Sequence, residues 1–584
     1  MKFAAHSLLL ISLAATFAYA QTQTNLYPQV QHVIIVIQEN RTPENLFNQD
    51  TALQNKAHVQ PGSNAGLCNV AGHRTISLTP TPLFTCWDPM HNHAGTYPSW
   101  VTTWDNGAMD GACSNDIAHN SNCGKPSCVV STNNPYYETC SYSYVDNSTG
   151  ILNPYFQLAN QYGFANYMFQ TNQGPSFPAH QFLFSGTSAP IQFNDPNDPC
   201  LDMPSDHPCW VWFDAENVGG NTNDKTTGCI ANAGRTAYQI DPTTAESYPP
   251  NPIQVNRVNL PAGFPCYSHP TLATLLDNSQ PAPITWKYYA QSPKDLWTAP
   301  TAMNTVCDTN GPGGQCQSAE WQDNVRDVLP NQGNYPNDGA PFLTDIANCH
   351  LPQVSWVIPD GNWSDHAGGN PNEIGDGGPS WVAAIVNAIG ATPSACEGGN
   401  GYWSDTVILV VWDDWGGYYD DVVPPDCATN PCTGYSNLTG QQYVYGFRVP
   451  LLVVGAYAKQ GYISGANVFP PNCNPPSTYC HDFGSILNFI EYAFGTGGNP
   501  LGFPGGISPS YHYADFLAMD YNPNQQGSYS LSDFFDFSTF HSFQTVNGAK
   551  YPPQCFHVPH PNNGTCFDGS DYPQDPDNDA NESD

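Results

Sequence analysis

Three apolar runs in this chain end abruptly in side chains able to hold a cation. Val33 to Ile37 stops at Gln38-Glu-Asn-Arg41, and Thr406 to Trp412 runs into Asp413-Asp-Trp-Gly-Gly-Tyr-Tyr-Asp420-Asp421. Val354 to Ile358 leads into Pro359-Asp-Gly-Asn-Trp-Ser-Asp365-His366. Glu, Asn, Asp and His delivered to one sheet edge describe a hard-metal site, because several oxygens plus an imidazole suit a divalent cation that can polarise a phosphoryl group. Any one of these loops alone reads as a turn, since Asp, Asn and Gly set turn geometry. Their co-occurrence after buried strands favours a shared site. A nucleophile candidate lies in Gly174-Pro-Ser176-Phe-Pro178-Ala-His180. The spacing predicts Ser176 as a helix N-cap with Pro178 in the first turn, which puts the hydroxyl where backbone N–H groups and the helix dipole favour an anion. A capping serine with no chemistry fits the same residues. His93, His269 and His481 are weaker pocket candidates, and Arg41 reads as a brace for the Glu39 loop, although guanidinium forks do suit phosphate.

The elements that must position these residues are legible from the apolar pattern. Continuous β-branched runs are strands buried on both faces, and in open α/β sheets ligands bind beyond the carboxyl ends of the strands. Strands are predicted at Val33–Ile37, Ile284–Tyr289, Val354–Ile358, Thr406–Trp412 and Pro450–Val454, with helical periodicity at Leu272–Leu276, Trp381–Ile389 and Ile486–Phe494. Their interleaving implies an α/β fold, a mixed sheet covered by helices on both faces. Segments 48–149 and 194–266 are rich in Asn, Gly, Pro and Cys without sustained periodicity, so they are expected to be disulfide-tied insertions that wall the pocket.

Residues 1–20 fit a secretory signal peptide: Lys2, an apolar run from Leu8 to Phe17, then Ala18-Tyr-Ala20. Residues 21–567 are then a single domain, and 568–584 an acidic tail expected to be disordered. No later run approaches the roughly 20 apolar residues that span a bilayer, so a secreted or periplasmic protein without an anchor is expected. Twenty cysteines agree with an oxidising compartment. Cys123/Cys128, Cys200/Cys209, Cys307/Cys316, Cys427/Cys432 and Cys473/Cys480 would each close a short loop, and none has the Cys-x-x-Cys form of a zinc ribbon or redox site. The formal charge of −36 disfavours nucleic acid and anionic membranes as partners, but not small phosphates met by a local cation. No obligate protein partner is evident, and an acid pH optimum is expected, since protonation relieves self-repulsion.

The chain resembles the phosphoesterase family that contains bacterial and plant non-specific phospholipase C enzymes and a bacterial respiratory-burst-inhibiting acid phosphatase. The likeness runs from about His32 to Phe537. It rests on Gln38-Glu-Asn-Arg41, Asp88-Pro-Met-His91, Met109-Asp-Gly111, Gly174-Pro-Ser-Phe-Pro178, Ile284-Thr-Trp-Lys-Tyr288, Leu351-Pro-Gln-Val-Ser-Trp356 and Ser364-Asp-His366. Further along, it includes Trp412-Asp-Asp-Trp-Gly-Gly417, Phe447-Arg-Val-Pro450, Ser485-Ile-Leu-Asn-Phe-Ile-Glu491 and Asp533-Phe-Phe-Asp-Phe537. The resemblance implies an alkaline-phosphatase-like fold and phosphoester hydrolysis through a covalent phospho-enzyme. It implies one divalent cation held by Glu39, Asn40, Asp413 and Asp414 together with Ser176, the nucleophile. It also implies that His91 and His366 contact phosphate or protonate the leaving group. Two positions depart from the phospholipase pattern. His180 stands where many members have Arg and is read either as a catalytic, pH-dependent replacement for that cation or as a residue hydrogen-bonded within the turn, and Asp421 stands where they have His. The first reading is therefore an acid phosphatase acting on small phosphate esters. A phospholipase C taking a phospholipid head group is the second. An inactive glycan-binding module is the third, and it has no use for so many converging oxygens.

Overall fold

A computed structural model describes residues 26–556 apart from 55, 60–64, 70–73, 86, 94–98, 120–139, 189–213, 220–225, 242–245, 249–252, 256–257, 261–263, 331–340, 369–374, 397–398, 400, 426–444, 469–472, 497, 502–517, 523 and 526. The expected signal peptide at 1–20 and acidic tail at 568–584 therefore lie outside the described residues.

The longest apolar runs build the centre of an eight-stranded sheet. Numbered in chain order, its strands are β1 (His32–Gln38), β2 (Gly163–Ala165), β3 (Trp286–Ala290), β4 (Val325–Asp327), β5 (Val354–Val357), β6 (Thr406–Trp412), β7 (Leu451–Gly455) and β8 (Tyr462–Ser464). Their spatial order is β4-β3-β5-β1-β6-β7-β2-β8. The five strands from β4 to β6 run parallel, and the sheet turns antiparallel where β7 joins β6. Every residue of β1, β5, β6 and β7 is buried, as expected for strands covered on both faces. Each side chain from Val33 to Ile37 is fully buried, a contribution of about 1.5–3 kcal/mol apiece.

Register delivers the candidate residues to one level. Gln38 pairs with Trp412 at the ends of β1 and β6. Glu39 and Asn40 thus leave the sheet beside Asp413 and Asp414. Two backbone bonds carry the pairing past the strands, Asp413 N to Gln38 O at 2.9 Å and Arg41 N to Asp414 O at 3.0 Å.

Helices cover the sheet. In chain order they include α1 (Pro43–Phe47), α2 (Asn153–Gln161), α3 (Ser176–Ser185), α4 (Leu272–Asp277), α5 (Gly378–Gly390) and α6 (Phe483–Phe494). Helix α3 packs on α4 and α6, while α5 packs on α2 and β6. Ends are fixed by side chains: Thr42 caps α1, and capping boxes form between Thr271 and Thr274 and between Asp482 and Ser485.

Disulfides join Cys68–Cys113, Cys229–Cys266, Cys307–Cys316, Cys349–Cys396 and Cys473–Cys480. Two of these are short loops expected from the sequence, and the expected pairs at 123/128, 200/209 and 427/432 fall outside the described residues. Segments 48–149 and 194–266 hold small elements, such as the hairpin of Ala65–Cys68 with Arg74–Ser77, tied by the Cys68–Cys113 and Cys229–Cys266 bridges. Among the described residues no helix is long and apolar enough to cross a membrane.

Candidate metal centre

The β1 and β6 loops are locked together before any ligand arrives. Asp413 Oδ1 accepts from Asn40 N at 2.9 Å and from Asp414 N at 2.7 Å, and Asp414 Oδ1 accepts from Gly416 N at 2.6 Å. Asn40 is held at φ 60°, a left-handed conformation that Asn tolerates better than most residues. That bend aims its amide back across the strand ends.

Ser176, at the start of α3, meets these loops. Its Oγ lies 3.1 Å from Asp414 Oδ2, 3.2 Å from Glu39 Oε2 and 3.4 Å from Asn40 Oδ1, and all four residues are fully buried. One hydroxyl proton can serve one acceptor at a time, so this oxygen cluster has a surplus of negative charge facing inward. The spacing is that of a ligand sphere: around a small divalent cation with oxygens at about 2.1 Å, adjacent octahedral ligands stand about 3.0 Å apart. Asp413 Oδ2 is buried beside the cluster and accepts no hydrogen bond. Burial by itself would raise the Asp413 pKa, yet the His180 ring and the neighbouring donors hold it below the usual carboxylate range. A carboxylate kept ionised in a dry site is what a cation requires. The residues present therefore fit one divalent metal.

His91 sets the orientation of Asn40. Its Nδ1 lies 2.7 Å from Pro89 O, which fixes the ring proton there and leaves Nε2 to accept from Asn40 Nδ2 at 3.4 Å. Asn40 Oδ1 consequently faces Ser176. In this geometry His91 reaches the cluster through Asn40.

Residues 30–497 match the sequence profile of the Phosphoesterase family. The chain belongs to that family. Curated relatives include a non-hemolytic phospholipase C of Pseudomonas aeruginosa, 28% identical over 26% of this chain and 21% of the relative. Phospholipase C B of Mycobacterium tuberculosis is 29% identical over 31% of this chain and 34% of the relative. A non-hemolytic phospholipase C of Burkholderia pseudomallei is 28% identical over 26% and 20% respectively. The matched stretch thus spans only about a fifth to a third of those relatives.

Within this Phosphoesterase-family framework the remaining candidates separate. Ser176 is the first residue of α3 rather than its N-cap, which is Pro175. The predicted capping role gives way because its hydroxyl faces the carboxylates across the sheet edge. His180, one turn further along α3, lies 3.1 Å from Glu39 Oε1 and 3.6 Å from Asp413 Oδ2. His366 packs its ring 5.7 Å from Trp297, and the Trp297 carbonyl accepts from Tyr288, whose hydroxyl is 3.5 Å from His180 Nδ1.

Arg41 is a brace. It donates to Asp365 O, Leu83 O and Asn45 Oδ1, and it stacks 4.6 Å over the Tyr418 ring. Asp365, in the third loop, turns its carboxylate to Tyr155 and Trp412. Burial pushes that carboxyl up to about 6.

The departures at 420–421 are absorbed locally. Asp420 pairs with Arg448 at 2.9 Å, and Asp421 with His58 at 2.7 Å. His93 stacks on Trp100 and lies 3.0 Å from Gln173 Oε1, with its pKa lowered to about 3 by burial, and burial lowers His269 to about 4, which favours the neutral ring at both. Sequence reasoning missed His58, Arg448 and Tyr288 as neighbours of functional groups. Arg448 and Tyr288 sit in recognisable motifs, while nothing local points from His58 to Asp421.

Proposed function

We propose that this chain is a secreted, metal-dependent phosphoesterase that hydrolyses phosphate esters through a phosphorylated Ser176. The observation that carries the reading is the convergence of Glu39, Asn40 and Asp414 on the Ser176 hydroxyl within 3.4 Å at the start of a helix. Glu39, Asn40, Asp413, Asp414 and Ser176 would hold one divalent cation. When bound, it would lower the Ser176 pKa and offset charge on the phosphoryl oxygens.

The chain's own residues account for the rest. Ser176 Oγ passes its proton to a neighbouring carboxylate and attacks phosphorus as the ester oxygen departs. His366 is proposed to protonate that oxygen, the general-acid role that imidazole most often fills. Water then attacks the phosphoserine, releasing phosphate and restoring Ser176. His91 fixes the Asn40 amide.

Small phosphomonoesters are the preferred substrates, because a charge of −36 disfavours docking on anionic lipid surfaces and is relieved at acid pH. The phospholipase C names of the relatives favour a second reading, cleavage of a phospholipid head group. The disulfides support secretion.

Ser176→Ala should keep the metal and abolish the acid-stable phospho-enzyme trapped from a labelled ester. Asp413→Asn should lose the metal, and turnover should fall by about three orders of magnitude or more. Undiminished turnover in Asp413→Asn would refute the metal centre. Phosphate release from a monoester, compared with phosphocholine release from phosphatidylcholine, separates the substrate classes. A rate profile peaking at alkaline pH would exclude the acid-phosphatase type.

A further inference from the structure

His180 occupies a position where a cation-binding nitrogen is wanted. Glu39 turns Oε2 to Ser176 and Oε1 to His180 Nε2, so one carboxylate joins the oxygen cluster to the imidazole. One donor atom each from Glu39, His180 and Asp413 lies within 4.8 Å of the others, and all three residues are buried. Asp413 Oδ2, which accepts no hydrogen bond, lies 3.6 Å from the same ring nitrogen.

The other side of the ring indicates which nitrogen carries the proton. Tyr288 OH donates to Trp297 O at 2.7 Å and accepts from Ala299 N at 3.3 Å. With its proton committed, the hydroxyl can meet His180 Nδ1, 3.5 Å away, only as an acceptor. Nδ1 can therefore give its proton to Tyr288, and Nε2 is the ring nitrogen that faces the two carboxylates, 3.1 Å from Glu39 Oε1 and 3.6 Å from Asp413 Oδ2. A cation standing among these three atoms would take the place of any proton on Nε2 and be held by all of them, and a ligating histidine that gives its second N–H to an outer partner is the usual arrangement.

We infer that His180 Nε2 is a direct ligand of the cation and gives this centre a nitrogen donor. The inference rests on the metal reading above and assigns His180 a task other than contacting phosphate as an imidazolium. Tyr288 is then a positioning residue. The chemical consequence is selectivity: carboxylates, carbonyls and water alone suit Mg2+ or Ca2+, whereas an imidazole added to them suits Zn2+, Fe2+ or Co2+. Position 180 would thus tune which metal the site retains.

The test uses full-length protein stripped with a chelator and reloaded with one equivalent of Co2+, followed by proton NMR of hyperfine-shifted, exchangeable imidazole N–H signals. Wild type should show such a signal from His180 Nδ1–H. His180→Gln should lack it and bind Co2+ about tenfold more weakly or worse, with a smaller loss for Mg2+. Tyr288→Phe, which keeps the ring but removes its acceptor, should retain Co2+ while the signal moves or is lost to faster solvent exchange. If wild type holds one Co2+ and its shifted N–H signals are the same in both variants, His180 is not a ligand and the metal centre stands. If wild type holds no Co2+, both readings fall together.

Discussion

Asn40 stands where a side chain on Gly416 would have to go. A β-carbon at Gly416 would lie 2.3 Å from the Asn40 carbonyl oxygen and 2.6 Å from its Cβ, and Gly416 sits at φ 59°. The loops that carry the proposed ligands can therefore approach this closely only because position 416 is glycine. Gly416→Ala would add about 1–2 kcal/mol of left-handed strain to the clash. The loops would have to separate by a fraction of an ångström to an ångström. Misplacement on that scale lowers turnover about a hundredfold. Phosphoester turnover and metal content should fall together, while far-ultraviolet circular dichroism stays native.

In the proposed metal centre His91 would act through Asn40, which it touches at 3.4 Å, and that makes its contribution separable from proton transfer. His91→Ala frees the Asn40 amide to rotate and should weaken cation binding about 10- to 100-fold, as loss of an outer-shell partner commonly does. His91→Gln offers a carbonyl acceptor in place of Nε2 and should recover part of that affinity. Titration of metal-free protein measures both. Unchanged affinity in His91→Ala would return His91 to a direct role on substrate.

Arg41 is worth a conservative test because it ties three segments together. Its forked donors reach Asp365 O, Leu83 O and Asn45 Oδ1 at once. A lysine ammonium cannot span those directions. Arg41→Lys should lower stability by about 2–4 kcal/mol, since several buried acceptors lose partners. The denaturant midpoint should drop clearly, and the cation affinity should drop with it because the Glu39 loop is anchored through Arg41.

How much of this was written in the sequence depends on the distance over which each feature is encoded. β1, β5, β6 and β7 were legible because continuous β-branched runs need no partner to be recognised, and their ends lie almost where the pattern put them. The three-residue strands Gly163–Ala165, Val325–Asp327 and Tyr462–Ser464 were not, since so short a segment has no period. In the site, Glu39, Asn40, Asp413 and Asp414 were readable because each directly follows a buried strand. Contacts made by folding alone were invisible, such as His58 with Asp421, 363 positions apart, and Tyr288 with His180, 108 apart. Asp365 looked like a cation ligand by the same strand-end logic, but it braces Tyr155 and Trp412 instead.

His481 has the contacts of a catalytic triad and the protonation of a structural ion pair. Its Nε2 is 2.8 Å from Ser464 Oγ and its Nδ1 is 2.8 Å from Asp520 Oδ2, with Asp533 Oδ2 3.7 Å from Nε2. Burial alone would lower the His481 pKa, but Asp533 and Asp520 outweigh it and push the ring up to about 10. An imidazolium of that kind cannot take a proton from Ser464 at neutral pH. It instead clasps the segment carrying Asp520 and Asp533 to β8 and α6. Because the folded pKa lies above the unfolded value of about 6.5, the clasp contributes fully below that pH, and its contribution declines as pH rises through about 10. Asp520 is shifted the other way: burial would raise it, but His481 holds it low, so its contribution is lost as acid protonates it. The wild-type melting temperature should therefore fall more steeply between pH 7 and 10 than that of His481→Gln, which starts lower and lacks the titrating ring. Parallel curves for the two proteins would show that no charge is held at His481.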